Sequence, residues 1–337
     1  MPKQKPVLNA APNNYFVGEK KGLRFVSTGC TLLDCTLGGG FVLGRVANIV
    51  GDKSTSKTAL ACEAVTNFLL RYPGGTAAYR ETEAAFDRDY AAAMGMPVKK
   101  VDWGQPLITV EGFARDFDGF LDQQIEAKQP GIYVLDSLDA LSDEAEMERK
   151  IGEGSYGTAK AKQLSEFFRK NAQRQEQAQV LLLVISQVRD AIGVLYGDKQ
   201  TRSGGRALNF YASQIMWLAH TGILKKTINK VERPYGVSIT AKIKKNKVGL
   251  PFRDCAFEFL FAYGVEDVRA SIDWLEEVGR LGDFDLTKEA AKTYRKELEG
   301  LNHAEYKKEQ GLVADVVKKV WREVETSFLP RRSKYAD

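Results

Sequence analysis

Short apolar runs rich in β-formers recur at 45–50, 76–79, 107–110, 132–135 and 180–185, with longer segments of helical period between most of them. Within 112–128, Phe113, Phe117, Phe120, Leu121 and Ile125 share one helical face, the stripe a helix needs to cover a sheet. Strands alternating with helices predict an α/β fold whose mostly parallel sheet is covered on both faces. Beyond residue 212 the stretches QIMWLAHTGILKK, VSITAKIKKNK and CAFEFLFAYG read as further strands extending that sheet. From about Val268 the chain turns helical and charged, most clearly at 311–325. The first two dozen residues are polar, with Pro2, Pro6 and Pro12, and read as an arm. The expected organisation is an arm at 1–24, a core at 25–267 and a small helical region at 268–337 ending in the basic tail PRRSKYAD.

Composition narrows this picture. The 337 residues are 44% hydrophobic and 28% charged, and no apolar run approaches the roughly 20 residues of a membrane span. The start, MPKQKPVLNAAPNN, has no apolar signal core, so the expectation is a cytoplasmic chain with no membrane partner. Cys30, Cys35, Cys62 and Cys255 show no CxxC spacing, and only His220 and His303 accompany them, which offers no zinc-ligand cluster. A net charge of +5 says little about partners, but its distribution says more. Residues 239–253 hold Lys242, Lys244, Lys245, Lys247 and Arg253 without an acid, and 186–206 hold four basic residues against two aspartates.

Three motifs carry chemistry. Gly51, Asp52, Lys53, Ser54, Thr55, Ser56, Lys57, Thr58 and Ala59 follow an expected strand and enter an expected helix. That setting suits a phosphate loop, in which backbone N–H groups wrap a phosphate, a lysine reaches the outer oxygens and a hydroxyl holds Mg²⁺. The usual pattern has glycine where this chain has Ser56; the alternative reading is a surface turn. In IYVLDS, Asp136 ends an apolar strand, where a carboxylate orients Mg²⁺ or simply caps the next helix. In AYRETEAAFD, Glu81 and Glu83 follow another strand end, and either one serves to polarise an attacking water unless the turn is only solvated.

In order along 26–264 stand STG, LD, LGGG and GR, then ETEAAFDRDYAAAMG, VLDSLDAL, ISQVRDAIGVLYGD, SGGRALNFYAS and KNKVGLPF. This series resembles the RecA family of homologous-recombination proteins, in a divergent form of the kind carried by phages or mobile elements. The resemblance implies a RecA-like phosphate-loop ATPase core, its parallel sheet extended by antiparallel strands, using ATP and Mg²⁺. It implies a catalytic set of Glu83 as base with Lys57, Gln187, Lys245 and Lys247. Asp87 and Tyr90 would contact adenine, Asp136 and Ser137 the metal and phosphate side, and Thr58 with Asp136 the Mg²⁺. Gln187 would sense the γ-phosphate. Tyr156 in EGSYG, Arg169, Arg189, Ile192, Arg202, Gly204, Gly205 and Arg206 would contact DNA, an apolar wedge and backbone amides joining arginines on phosphates. Phe210, Lys245 and Lys247 would meet the adjacent protomer, and Tyr15 or Phe16 would anchor the short arm. The implied activity is a recombinase that forms a helical filament of itself on single-stranded DNA and pairs it with homologous duplex. Two alternatives stay open: an ATP-binding recombination mediator with little hydrolysis, and a hexameric helicase on a related core.

Overall fold

The structure is a computed structural model and describes residues 22–148, 158–190, 200–202 and 205–329. Tyr15, Phe16, Tyr156, Ile192 and Gly204 lie outside the described residues. An antiparallel pair, β1 (Phe25–Val26) and β2 (Phe41–Val42), brackets α1 (Thr31–Leu37). The core then alternates: β3 (Val46–Gly51), α2 (Lys57–Arg71), β4 (Thr76–Glu81), α3 (Arg88–Ala93), β5 (Val101–Asp102), α4 (Val110–Ala127) and β6 (Gly131–Asp136). After it come α5 (Glu144–Glu148), α6 (Thr158–Ala178), β7 (Val180–Asp190), β8 (Gln200–Arg202) and α7 (Gly205–Tyr211). Four strands follow: β9 (Gln214–Ile228), β10 (Val231–Asn246), β11 (Asp254–Leu260) and β12 (Gly264–Val265). The helices α8 (Asp267–Glu277), α9 (Lys288–Glu297) and α10 (His303–Ser327) close the described chain.

One sheet runs β12-β11-β10-β9-β3-β7-β6-β4-β5, with β8 attached to β7. Pairing is parallel from β9 through β5 and antiparallel from β9 through β12, the expected parallel sheet with an antiparallel extension. Successive side chains of a strand face opposite sides, so a strand covered on both faces needs an unbroken apolar run. Ile132 and Val134 of β6 join Leu181, Leu183 and Ile185 of β7 in one apolar cluster. Tyr133 and Leu135 join Leu182 and Val184 in the other, beneath Phe113, Phe117, Phe120 and Leu121 of α4.

Two strand expectations need correction. The run 107–110 is not a strand: Thr109 accepts from the Gly112 N–H at 3.1 Å and caps α4, which begins at Val110. Its apolar residues, Leu107 and Val110, are buried under the helix cluster, which is why they mimic a strand. Strand β7 continues past the expected end at residue 185 to Asp190, because β8 returns antiparallel beside it.

At the other end, Asn302 and Glu305 form a capping box that starts α10. Val313, Val317, Val320 and Trp321 of α10 share one cluster with Ile272 and Leu275 of α8 and Leu32 and Leu33 of α1. Among the described residues no helix is long and apolar enough to cross a membrane.

Acids are drawn into this packing. Asp34 accepts from Ser27 Oγ at 2.5 Å and from Thr28 N and Oγ1, both at 2.8 Å. Glu63 of α2 accepts from the Val265 N–H at 3.1 Å, and a Cβ on Gly264 would lie 2.0 Å from its oxygen. Burial pushes both carboxyls up to about 7, against hydrogen bonds that pull them down; Lys307 lowers Glu63 and Asp267 raises it. Between the ordinary carboxyl range and pH 7 the folded chain therefore holds protons that the unfolded chain has released. Stability falls as pH rises through 7, by about 1 kcal/mol per group between pH 6 and 8. The melting temperature is expected to rise by roughly 2 °C per group on acidification from pH 8 to 6. Glu63→Gln, which keeps an acceptor for Val265, should flatten that slope; calorimetric melts with identical slopes for both proteins would contradict the assignment.

Candidate functional site

Parallel register brings the functional segments to one edge. Gly51 pairs with Gln187 at the ends of β3 and β7, and Glu81 pairs with Asp136 at the ends of β4 and β6. The turns that leave these strand ends are where ligands meet open α/β sheets. The loop after β3 is self-supporting. Thr55 Oγ1 donates to Asp52 O at 2.8 Å, and a Cβ on Gly51 would lie 2.3 Å from that hydroxyl. Lys57 Nζ donates to the same carbonyl at 2.7 Å. Desolvation holds the Lys57 ammonium below its ordinary range, opposed by Asp136, Asp52, Glu83 and Asp139. Asp52, Lys53 and Ser54 are exposed and Ala59 half-buried. Helix α2 carries no acid in its first turn, so no side-chain carboxylate of that turn competes for its N-terminal amides. Ser56, in the usual glycine position, adopts φ 58° and ψ 28°, a left-handed conformation that glycine enters without penalty.

Asp136 is 8% exposed, and its Oδ2 accepts from Thr58 Oγ1 and from Tyr79 OH, each at 2.7 Å. Burial raises this carboxyl above its ordinary range, and the two hydroxyls counter it. The Asp136–Ser137 peptide bond is cis. The neighbouring glutamates divide their work. Glu81 accepts from the N–H groups of Glu83, Ala84 and Ala85 at 2.8, 2.9 and 3.1 Å, and so shapes the turn. Glu83 Oε1 accepts from Ser137 Oγ at 2.6 Å and from Gln187 Nε2 at 2.9 Å, while the Gln187 N–H donates to Asp139 at 2.8 Å. Geometry thus separates two residues that spacing left equivalent.

Asp87 caps α3 by accepting from Asp89 N and Tyr90 N. Tyr90 is exposed, and its hydroxyl accepts from the Ala262 N–H at 3.1 Å. That contact adds a turn missing from the sequence expectations, in which Phe261 and Tyr263 also expose their rings. Tyr79 was missed too, since it reads as an ordinary core residue.

The remaining expected residues lie elsewhere. Val188 and Arg189 of β7 pair with Arg202 and Thr201 of β8. Gly205, at φ 52°, opens α7, followed by exposed Arg206; Arg169 is exposed on α6. Phe168 of α6 stacks on Tyr211 of α7 at 5.6 Å, locking the two helices together. Phe210 is 68% exposed. Lys245 Nζ donates to Asn209 O and to Phe210 O, and Lys247 Nζ donates to Phe210 O at 3.2 Å. Lys245 pairs with Ile215, which pairs with Asn48, so it stands level with the middle of β3 and not with Gly51.

The family model of the RecA N-terminal domain matches residues 16–266, spanning the loop, both carboxylates and β7–β12. The chain belongs to the RecA family. It is 35% identical over 254 residues to the protein RecA of Synechococcus sp. (strain CC9902), covering 75% of this chain and 64% of that one. The RecA of Arthrospira platensis gives 35% over 254 residues, covering 75% and 66%. That of Crocosphaera subtropica gives 32% over 301 residues, covering 88% and 82%. The matches thus span just under two thirds of the first two relatives. Helices α8 to α10 lie beyond the RecA N-terminal match.

Replacing Ser56 by glycine removes the left-handed strain of this RecA-family loop. Ser56→Gly is expected to stabilise the fold by about 1 kcal/mol, read as a higher urea midpoint at unchanged slope. A lower midpoint would show that the serine side chain stabilises the loop by more than its backbone costs.

Proposed function

We propose that this chain is an ATP-dependent DNA recombinase that assembles on single-stranded DNA and pairs it with homologous duplex. The observation that carries the proposal is Gln187 Nε2 on Glu83 Oε1 at 2.9 Å. One side chain ties the carboxylate positioned for hydrolysis to β7, the strand that leads directly into the basic segment 186–206. A nucleotide's state at one end is thereby transmitted to the DNA-contacting end.

In this reading the loop amides from Gly51 to Ala59 hold the β-phosphate and Lys57 neutralises the outer oxygens. Glu83 takes the proton of the attacking water, and Ser137 and Gln187 hold its carboxylate in place. Thr58 and Asp136 suit Mg²⁺: the Thr58 hydroxyl donates its hydrogen bond to Asp136 and keeps lone pairs for a cation. Among the described residues no group of three or more His, Cys, Asp or Glu assembles a metal cage, as suits an ion held largely by phosphates and water. Bound Mg²⁺ would neutralise charge on the transferring phosphate. Asp87, Tyr90 and the turn at 261–263 frame adenine.

Arg169, Arg189, Arg202 and Arg206, with the amides of Gly204 and Gly205, grip the DNA backbone, and Tyr156 and Ile192 separate bases. Affinity of this kind falls steeply with salt. Phe210, Lys245 and Lys247 belong to the contact between protomers, and residues 1–24 to assembly. The core at 25–267 carries the chemistry, and 268–337 forms the helical region beside it.

Lys57→Ala should abolish ATP-dependent filaments seen by electron microscopy; unchanged assembly would refute the site. Glu83→Gln should lower DNA-dependent ATP hydrolysis by roughly 10²–10⁴-fold while ATP-dependent assembly persists. Closed rings in place of helices would favour a helicase. Phe210→Ala, at a 68% exposed position, should leave the melting temperature within about 1 °C yet weaken filament assembly, read by light scattering.

A further inference from the structure

We infer that Tyr79 is a positioning residue for Asp136, fixing one carboxylate oxygen so that the other serves a hydrated cation. The inference rests on the nucleotide site proposed above. Tyr79 is fully buried on β4, and its phenol donates to Asp136 Oδ2 at 2.7 Å, the same oxygen that accepts from Thr58 Oγ1 at 2.7 Å. A carboxylate oxygen offers two lone pairs. Two hydroxyl donors fill Oδ2 and hold the carboxylate plane, and no described group donates to Oδ1.

A second buried tyrosine shows what the same pairing looks like in a structural role. Tyr133 OH donates to Asp116 Oδ2 at 2.6 Å on the other face of the sheet. There the carboxylate is completed within the fold: Arg80 Nε reaches Asp116 at 2.8 Å, and the guanidinium lies 5.4 Å from the Tyr133 ring centre. Asp136 has no such partner. Among the described residues no lysine or arginine is hydrogen-bonded to it, and the Lys57 ammonium rests on Asp52 O. A buried carboxylate oriented by two hydroxyls, with Lys57 acting on it only through space and its ammonium hydrogen-bonded elsewhere, is set up for a cation from outside the chain.

Tyr79 also ties this carboxylate to the turn carrying Glu83. Its ring packs 4.8 Å from Phe86 and 5.5 Å from Trp103, and those two rings lie 5.0 Å apart. Phe86 stands between Glu83 and Asp87, so the phenol and the ring of one residue register both sides of the site.

Tyr79→Phe keeps the rings and removes one oxygen. The test titrates Mg²⁺ into protein carrying a fluorescent N-methylanthraniloyl-ATP, with nucleotide affinity measured separately in EDTA. The Mg²⁺ midpoint is expected to rise roughly tenfold, with EDTA affinity unchanged. Tyr133→Phe should lower the melting temperature and leave the midpoint alone. A Tyr79→Phe protein that loses stability but keeps the wild-type midpoint overturns the positioning role and makes Tyr79 a core tyrosine only. Thr58→Ala separates the two levels: if it too leaves the midpoint unchanged, the nucleotide site itself is overturned.

Discussion

Everything functional in this molecule depends on the parallel pairing of β3, β7, β6 and β4. Because these strands are buried on both faces, their side chains carry no chemistry along most of their length, and polar groups concentrate at the ends. The buried polar groups within the strands are each satisfied: the Asn48 amide by Val184 O at 2.8 Å and Ser186 Oγ at 3.0 Å, and the Tyr79 and Tyr133 hydroxyls by Asp136 and Asp116. A one-residue slip of β6 against β4 would exchange the two faces of the strand and carry Asp136 away from both Tyr79 and Thr58. The register that packs Ile132 and Val134 on one side and Tyr133 and Leu135 on the other is therefore the register that builds the site.

The electrostatics of that edge follow from what the strands deliver there. Asp136, Asp52, Glu83 and Asp139 all act on the Lys57 ammonium. A polyphosphate brought to such an edge meets carboxylates as well as donors, so its charge has to be balanced by something the chain does not itself provide. This is the physical reason the proposed reading needs a divalent cation and not only a phosphate loop. The same imbalance accounts for the careful anchoring of each acid. Glu81 is occupied by three amides of its turn, Glu83 by Ser137 and Gln187, and Asp136 by two hydroxyls. Left unanchored, they would repel one another and the ligand alike.

Much of this was legible in the residues alone, for identifiable reasons. Strands β3, β6 and β7 announce themselves because burial on both faces demands uninterrupted apolar runs, and α4 because its four buried aromatic and leucine positions keep helical spacing. The run at 107–110 misled because burial under a helix produces the same apolar signature as burial in a sheet; only the Thr109 cap separates them. Glu81 and Glu83 could not be ranked by spacing, since their difference lies in which acceptor faces the turn and which faces Ser137, 54 positions away. Tyr79 and the turn at 261–263 were invisible for the same reason: their partners are brought by register and by the path of β11, at separations of 57 and 172 residues.

Lys245, Lys247 and Phe210 form one unit at the end of α7. Both ammonium groups sit on the carbonyls that end α7, a favourable place for cations because the last carbonyls of a helix lack intrahelical donors. Taken alone, that is a sufficient structural role. Yet the same arrangement leaves Phe210, the residue they hold, 68% exposed, with Lys247 5.5 Å from its ring centre. A large apolar ring held rigidly outward costs solvation in a free monomer, and contact with another surface recovers it. Since Lys245 stands level with Asn48, away from the Gly51 end of β3, no phosphate on this chain's own loop is positioned to meet it. In the proposed assembly these lysines would meet the nucleotide of a second copy docked through the Phe210 face. In the proposed filament this makes nucleotide affinity and assembly two readings of one equilibrium, because whichever binds first pays the ordering cost for the other.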